Sequence, residues 1–309
     1  MKRRDFIINA SIGTAAISGL AQCNLLLPVK RKTPGSLILK DNFWLWGQNA
    51  GSHHRGSPEG GYKLPGKNLM NPREGCDFFG IEKCLRVAMS AGPFPPFDEE
   101  AKKIKDLKEV VWSAIGAGGI EQRYDNDKSD LDEVLRMADI YPNITGAILD
   151  DFFTSVESTG KSNARHSLES IRHMRDSLHN SSKRRLDLWM VWYTYQLDFH
   201  VDDYVNLCDV MTLWTWKGSD LSHLDANIQK FVEKTPGKRR LVGCYMWNYG
   251  ESKPLTMDQM KYQLDRYYHW LKKGDIEGII FCSNAIADIG LDTVEYTRKW
   301  IAEVGNERI

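Results

Sequence analysis

The sequence predicts an α/β fold, a (β/α)8 TIM barrel in one domain. Three observations carry this: eight apolar runs of strand length, helical periodicity in the gaps between them, and no glycine-rich phosphate turn after the first run. The runs are 43–49 (F-W-L-W-G-Q-N), 84–90 (C-L-R-V-A-M-S), 109–115 (E-V-V-W-S-A-I), 144–150 (I-T-G-A-I-L-D), 186–193 (L-D-L-W-M-V-W-Y), 209–216 (D-V-M-T-L-W-T-W), 241–247 (L-V-G-C-Y-M-W) and 278–284 (G-I-I-F-C-S-N). A doubly wound sheet would ordinarily have fewer strands, and G-A-G-G at 116–119 is too short to signal a dinucleotide turn.

Helices fill the gaps. Met257, Met260, Leu264, Tyr267, Tyr268 and Leu271 recur at the 3.6-residue period, as do Leu168, Ile171, Met174 and Leu178, and Leu131, Val134, Leu135 and Ala138. Asp130 and Asp220 are the expected N-caps, and Pro236-Gly237 the expected end of one helix. No repeat beyond the βα unit, no low-complexity run and no internal linker interrupts 37–309, which reads as one barrel domain.

The 41 basic and 41 acidic side chains cancel, so no field of one sign recruits nucleic acid. The N-terminus reads differently. Residues 1–23 place Arg3-Arg4 before a mild apolar stretch rich in Gly, Ser and Ala, too short for a membrane span and suited to an export signal. Arg3-Arg4-Asp5-Phe6-Ile7 resembles the twin-arginine signature, and L-A-Q-C resembles a lipoprotein cleavage site with Cys23 as the lipid acceptor, although Gln22 stands where a small residue is usual. Residues 24–36, with two prolines and K-R-K, read as a tether. The expectation is an exported chain, periplasmic or lipid-anchored at the bacterial envelope, with membrane contact only through Cys23.

In a (β/α)8 barrel, chemistry belongs at the C-terminal rim. The residues at or just beyond the strand ends are Trp46, Gln48, Asn49, His53 and His54; Ser90; Glu121; Asp150 and Asp151; Trp192, Tyr193, Tyr195 and Gln196; Trp214, Trp216 and Lys217; Trp247, Asn248, Tyr249 and Glu251; Ser283, Asn284 and Asp288. Aromatic rings among amides and carboxylates suit a ligand with apolar C–H faces and many hydroxyls, which points to a carbohydrate.

G-A-I-L-D-D-F-F in the fourth strand position and Y-M-W-N-Y-G-E in the seventh make the chain resemble the glycoside-hydrolase-like (β/α)8 barrels of exported bacterial proteins, over roughly residues 40–305. The resemblance implies an acid/base carboxyl at the end of strand four and a nucleophilic carboxylate at strand seven, positions comparable to Asp150 or Asp151 and to Glu251. Two departures stand out. Strand four carries Asp-Asp where the large retaining clan carries Asn-Glu, and it lacks the alternating carboxylates of chitinase-type barrels.

Acetal hydrolysis needs a proton donor and a second carboxylate, so Asp150, Asp151 and Glu251 are the catalytic candidates, with Glu121 in reserve. Gly146, Ile148 and Asp150 share one parity, which turns Asp150 inward and leaves Asp151 to a supporting role or to capping the next loop. His53 and His54 are adjacent and His166 and His173 lie seven apart, with no zinc motif, so neither metal nor other cofactor is called for. Cys84, Cys244 and Cys282 read as small buried strand residues, and Cys76 as the cysteine best placed in a loop for a disulfide. Three readings stay open: a glycoside hydrolase, a non-catalytic carbohydrate-binding barrel, and a metal-dependent sugar isomerase, epimerase or lyase. The sequence sets no oligomeric state.

Overall fold

A computed structural model of the chain describes residues 38–54, 61–89, 91–119, 129–156 and 162–309. The export signal, the tether, Ser90 and Glu121 lie outside the described residues. In chain order the strands are β1 (Phe43–Gly47), β2 (Lys83–Arg86), β3 (Glu109–Ile115), β4 (Ile144–Leu149), β5 (Phe153–Val156), β6 (Ser162–Ala164), β7 (Asp187–Tyr193), β8 (Val210–Trp214), β9 (Arg239–Tyr245) and β10 (Gly278–Cys282). Eight of them close a barrel in the order β1-β10-β9-β8-β7-β4-β3-β2, each pair parallel. The α-helices are α1 (Pro72–Phe79), α2 (Asp98–Lys103), α3 (Asp130–Ile140), α4 (Leu168–His179), α5 (Asp202–Leu207), α6 (Leu224–Lys234), α7 (Met257–Lys273) and α8 (Asp292–Val304). The predicted fold class holds: this is a single-domain (β/α)8 barrel.

The interior is filled by indoles reaching across it. Trp44 of β1 meets Trp189 of β7 at 5.1 Å between ring centroids, and Trp46 of β1 meets Trp214 of β8 at 4.8 Å. Neither pair of strands is adjacent in the barrel, so these contacts cross its interior. Glycines make the room. A Cβ on Gly146 would stand 2.5 Å from the Asp187 carbonyl oxygen and 3.0 Å from the Trp189 indole nitrogen, and one on Gly243 would overlap the Trp214 ring.

Several local expectations change. Ser129, not Asp130, caps α3: its Oγ accepts the Asp132 N–H at 3.2 Å while the Asp132 carboxylate accepts the Ser129 N–H at 2.7 Å. Asp130 is instead the first helical residue and is buried. Asp220 sits inside a 3₁₀ turn, Gly218–His223, which runs directly into α6, so the hydroxyl-rich turn rather than an aspartate leads the chain in. The stop at Pro236-Gly237 holds, with α6 ending at Lys234 and Gly237 at φ 71°. Cys76 is not in a loop: it lies in α1, and all five cysteines of the described residues are buried and free. The antiparallel hairpin β5–β6, beyond the βα repeat, was not anticipated, because F-F-T-S-V is too short a run to separate from the strand before it.

Candidate functional site

The fourth barrel strand delivers two carboxyl groups to one place. β4 ends at Leu149, and the Asp150 N–H still continues the ladder to the Ile115 carbonyl at 2.9 Å. An extended chain would then send Asp151 to the opposite face. Instead Asp151 turns left-handed, at φ 46°, a backbone conformation unusual for a residue with a side chain. Both aspartates consequently line the same cavity. The turn is held from several sides: the Asp151 N–H donates to Asp150 Oδ1 at 2.9 Å, and Arg165 Nε, just beyond β6, donates to the Asp151 carbonyl at 2.8 Å. The Asp151 carboxylate accepts the Gly118 N–H at 2.8 Å and the Tyr193 hydroxyl at 2.7 Å.

The two acids are not equivalent. Asp150 is 4% exposed, and burial, followed by the neighbouring Asp151 charge, raises its pKa well above the usual carboxylate range against the opposing pull of the Asp151 N–H. Asp151 is half-buried and held by two donors. A carboxyl raised in this way holds its proton and can donate it, which suits Asp150 to the role of acid.

The cavity is a narrow recess: about 430 Å³ including the space open at its mouth, of which about 60 Å³ is room for the centres of water-sized occupants. Trp46, Trp214 and Trp216 line it together with Tyr62, Tyr193, Tyr245 and Tyr249. Trp216 packs nearly parallel to Tyr249 at 5.9 Å and edge-on to Tyr62, Tyr193 and Tyr245. Burial is the first cause that raises the hydroxyl pKa of all four tyrosines, Tyr62 to about 12, so they remain donors. His53 is pushed down to about 3 by burial and by His54, and its neutral ring sets Nδ1 3.1 Å from the Tyr249 hydroxyl. Gln48 completes the polar lining and donates to Met89 Sδ at 2.6 Å.

Of the residues singled out in the sequence, Trp46, Gln48, His53, Asp150, Asp151, Tyr193, Trp214, Trp216 and Tyr249 come together at this cavity. Others do not. Glu251 stands off it, accepting the Asn248 amide at 2.6 Å and the Ser219 N–H at 3.2 Å; the Asn248 bond leads the causes that lower its pKa. The seventh barrel strand, β9, presents Tyr245 to the cavity where the resemblance placed a carboxylate. Asn248 ties that loop to the Gly218 N–H at 3.0 Å, and Asn284 ties β1 to the β10 turn through Gln48. Trp192 points outward against Phe231 of α6, donating to the Gln196 carbonyl, while Trp247 donates to the carbonyl of Tyr62 and so fixes the loop that carries it. Lys217 is exposed, and Tyr195, 58% exposed, stacks on the outside of Tyr193 at 5.4 Å.

The sequence reading missed Tyr62, Met89, Ala117, Val191, Tyr245 and Cys282. Tyr245 had a signal: it shares parity with Gly243, and ending the strand two residues earlier would have put it at the rim. Tyr62 had none, since it comes from a long excursion after β1.

No protein-family model matches the chain, and no curated protein matches it. Solved structures do. An α-L-fucosidase candidate from Bacteroides thetaiotaomicron superposes with TM-score 0.55 at 11% identity, covering 90% of this chain and 99% of that one. The spore cortex-lytic enzyme SleL of Bacillus megaterium superposes with TM-score 0.50 at 11% identity, covering 88% and 75%. At such identity these likenesses establish the barrel fold, shared with glycoside hydrolases, and nothing finer.

Proposed function

We propose that this barrel is an exported carbohydrate-active enzyme that hydrolyses glycosidic bonds. One observation carries the reading: two adjacent, unequal carboxyl groups, Asp150 and Asp151, open into an aromatic cavity at the C-terminal rim. Asp150 gives its proton to the leaving oxygen as the bond to the anomeric carbon breaks. The Asp151 carboxylate, oriented by Tyr193 and Gly118, faces the positive charge that develops on the ring and takes a proton from the attacking water, whose oxygen forms the new bond. A panel of aryl glycosides and glycans tests this; no turnover on any member, with saturable binding of one, would overturn it.

That outcome would instead favour a carbohydrate-binding barrel. One feature speaks for this second reading: among the described lining residues the two acids come from one strand end, and the seventh strand contributes tyrosine opposite them.

Trp216 separates binding from packing. It is half-buried and shares its surroundings with four tyrosines. Trp216→Ala is expected to weaken sugar binding by roughly 1–3 kcal/mol, the scale of losing one large apolar face, with little change in melting temperature. A drop of many degrees at unchanged affinity would make the ring part of the core.

Export rests on the first 23 residues alone. Arg3→Lys combined with Arg4→Lys is expected to hold the precursor in the cytoplasm, as read by fractionation of cells carrying a tagged chain. A mature protein that still begins at Met1 would count against export with cleavage.

A further inference from the structure

Three other carboxylates that are buried or half-buried in the described residues have cationic neighbours. Glu133 meets Arg136, Glu100 meets Arg86 and Lys103, and Asp209 meets Arg185 and His179. Asp150 and Asp151 differ from these: among the described residues neither forms an ion pair, and the Asp150 side chain accepts the Asp151 N–H. A carboxylate with no counter-charge is the costlier the less water reaches it, and Asp151 is half-buried beside a buried Asp150. The described cavity lining does not supply a counter-charge, and Arg165, outside that lining, donates to the Asp151 carbonyl and not to its carboxylate. The described lining contains no Lys or Arg, and its histidine is neutral.

What the lining offers instead is ring surface. Three indoles and four phenols surround the acids, and the negative face of such rings attracts a cation, more strongly when water is excluded. Seven rings and the Asp151 carboxylate line one cavity, a combination suited to an ammonium group.

We propose that the cavity is an ammonium site, in which a protonated or quaternary amine of the ligand sits within the aromatic lining and against the Asp151 carboxylate. For the hydrolase reading above, on which this extension rests, the substrate class is then a glycoside with an unacylated amino group. The ammonium site itself does not depend on turnover.

Isothermal titration calorimetry of the intact chain compares tetramethylammonium with tert-butanol, an uncharged molecule of similar shape, at matched ionic strength. The expected result is saturable binding of the cation, tighter than the alcohol by about tenfold or more. Asp151→Asn is expected to weaken the cation by about tenfold without weakening the alcohol. Absence of saturable binding, equal affinity for the two probes, or a cation affinity unchanged in Asp151→Asn overturns the proposal. Should Asp151→Asn not fold, Trp216→Ala serves as the locating variant, with the same loss expected and unchanged affinity again overturning it. Cation binding in a protein that hydrolyses no glycoside keeps the site and removes the hydrolase; hydrolysis of uncharged glycosides with no preference for the cation does the reverse.

Discussion

Asp150→Asn is expected to lower kcat by roughly 10²–10⁴-fold while ligand binding survives, because the amide keeps the shape of the acid but has no proton to give. In the wild type the same proton should set the pH profile, with kcat expected to fall as pH rises through the elevated Asp150 pKa. The substitution also has a stability consequence of definite sign. The folded chain holds the Asp150 proton to higher pH than the unfolded chain, whose aspartate titrates near 3.8. In that window the native state binds more protons, so stability declines as pH rises. Asp150→Asn removes the decline. The variant should therefore melt above the wild type at neutral pH, and the gap should close as pH falls toward the unfolded carboxylate pKa. A folded variant with near-normal kcat would sink the assignment of Asp150 as the acid.

Gly243→Ala is expected to cost both stability and ligand affinity. A Cβ there would lie 1.9 Å from Trp214 Cε3, and Trp214 is 1% exposed, with its indole N–H donated to Thr212 Oγ1 at 2.9 Å. Neither side yields easily. β9 is paired with β8 on one edge and β10 on the other, and the indole is wedged between Trp46 at 4.8 Å and Tyr245 at 5.0 Å. Overpacking of this kind costs about 1–3 kcal/mol, and the displaced ring is one wall of the cavity. Thermal melting and ligand titration check the two effects together. An unchanged melting temperature with unchanged affinity would mean that the Trp214 ring has room to swing aside.

Strand number and barrel closure were legible because eight buried parallel strands leave eight continuous apolar runs, and the stripes of α3, α4 and α7 fall where the periodicity puts them. Strand ends were less legible. L-V-G-C-Y-M-W is apolar to its last residue, yet β9 stops at Tyr245. Met246 and Trp247 are buried beyond the ladder, where Thr293 of α8 donates to the Met246 carbonyl and the Trp247 indole donates to the Tyr62 carbonyl. Reading the end at Trp247 moved attention to Asn248 and Glu251 and away from Tyr245. Asp150 was found by parity, which is a property of the strand itself. Asp151 was not placed beside it, because a left-handed residue breaks the alternation that parity relies on. Tyr62 arrives through contacts more than a hundred residues apart in sequence, with Trp247 and Tyr249, and no local pattern encodes those.

The left-handed turn at Asp151 also shapes how this barrel tolerates change over generations. A backbone at φ 46° disfavours most side chains, tolerates aspartate and asparagine, and takes glycine best of all. Asparagine and glycine, which erase the carboxylate, are thus replacements the main chain accepts. Mutational drift to either costs the scaffold little, and lineages released from selection for chemistry would lose the acid first and the barrel last. If Asp151 is the carboxylate the proposed chemistry needs, one substitution that the backbone tolerates would remove it while leaving the barrel intact.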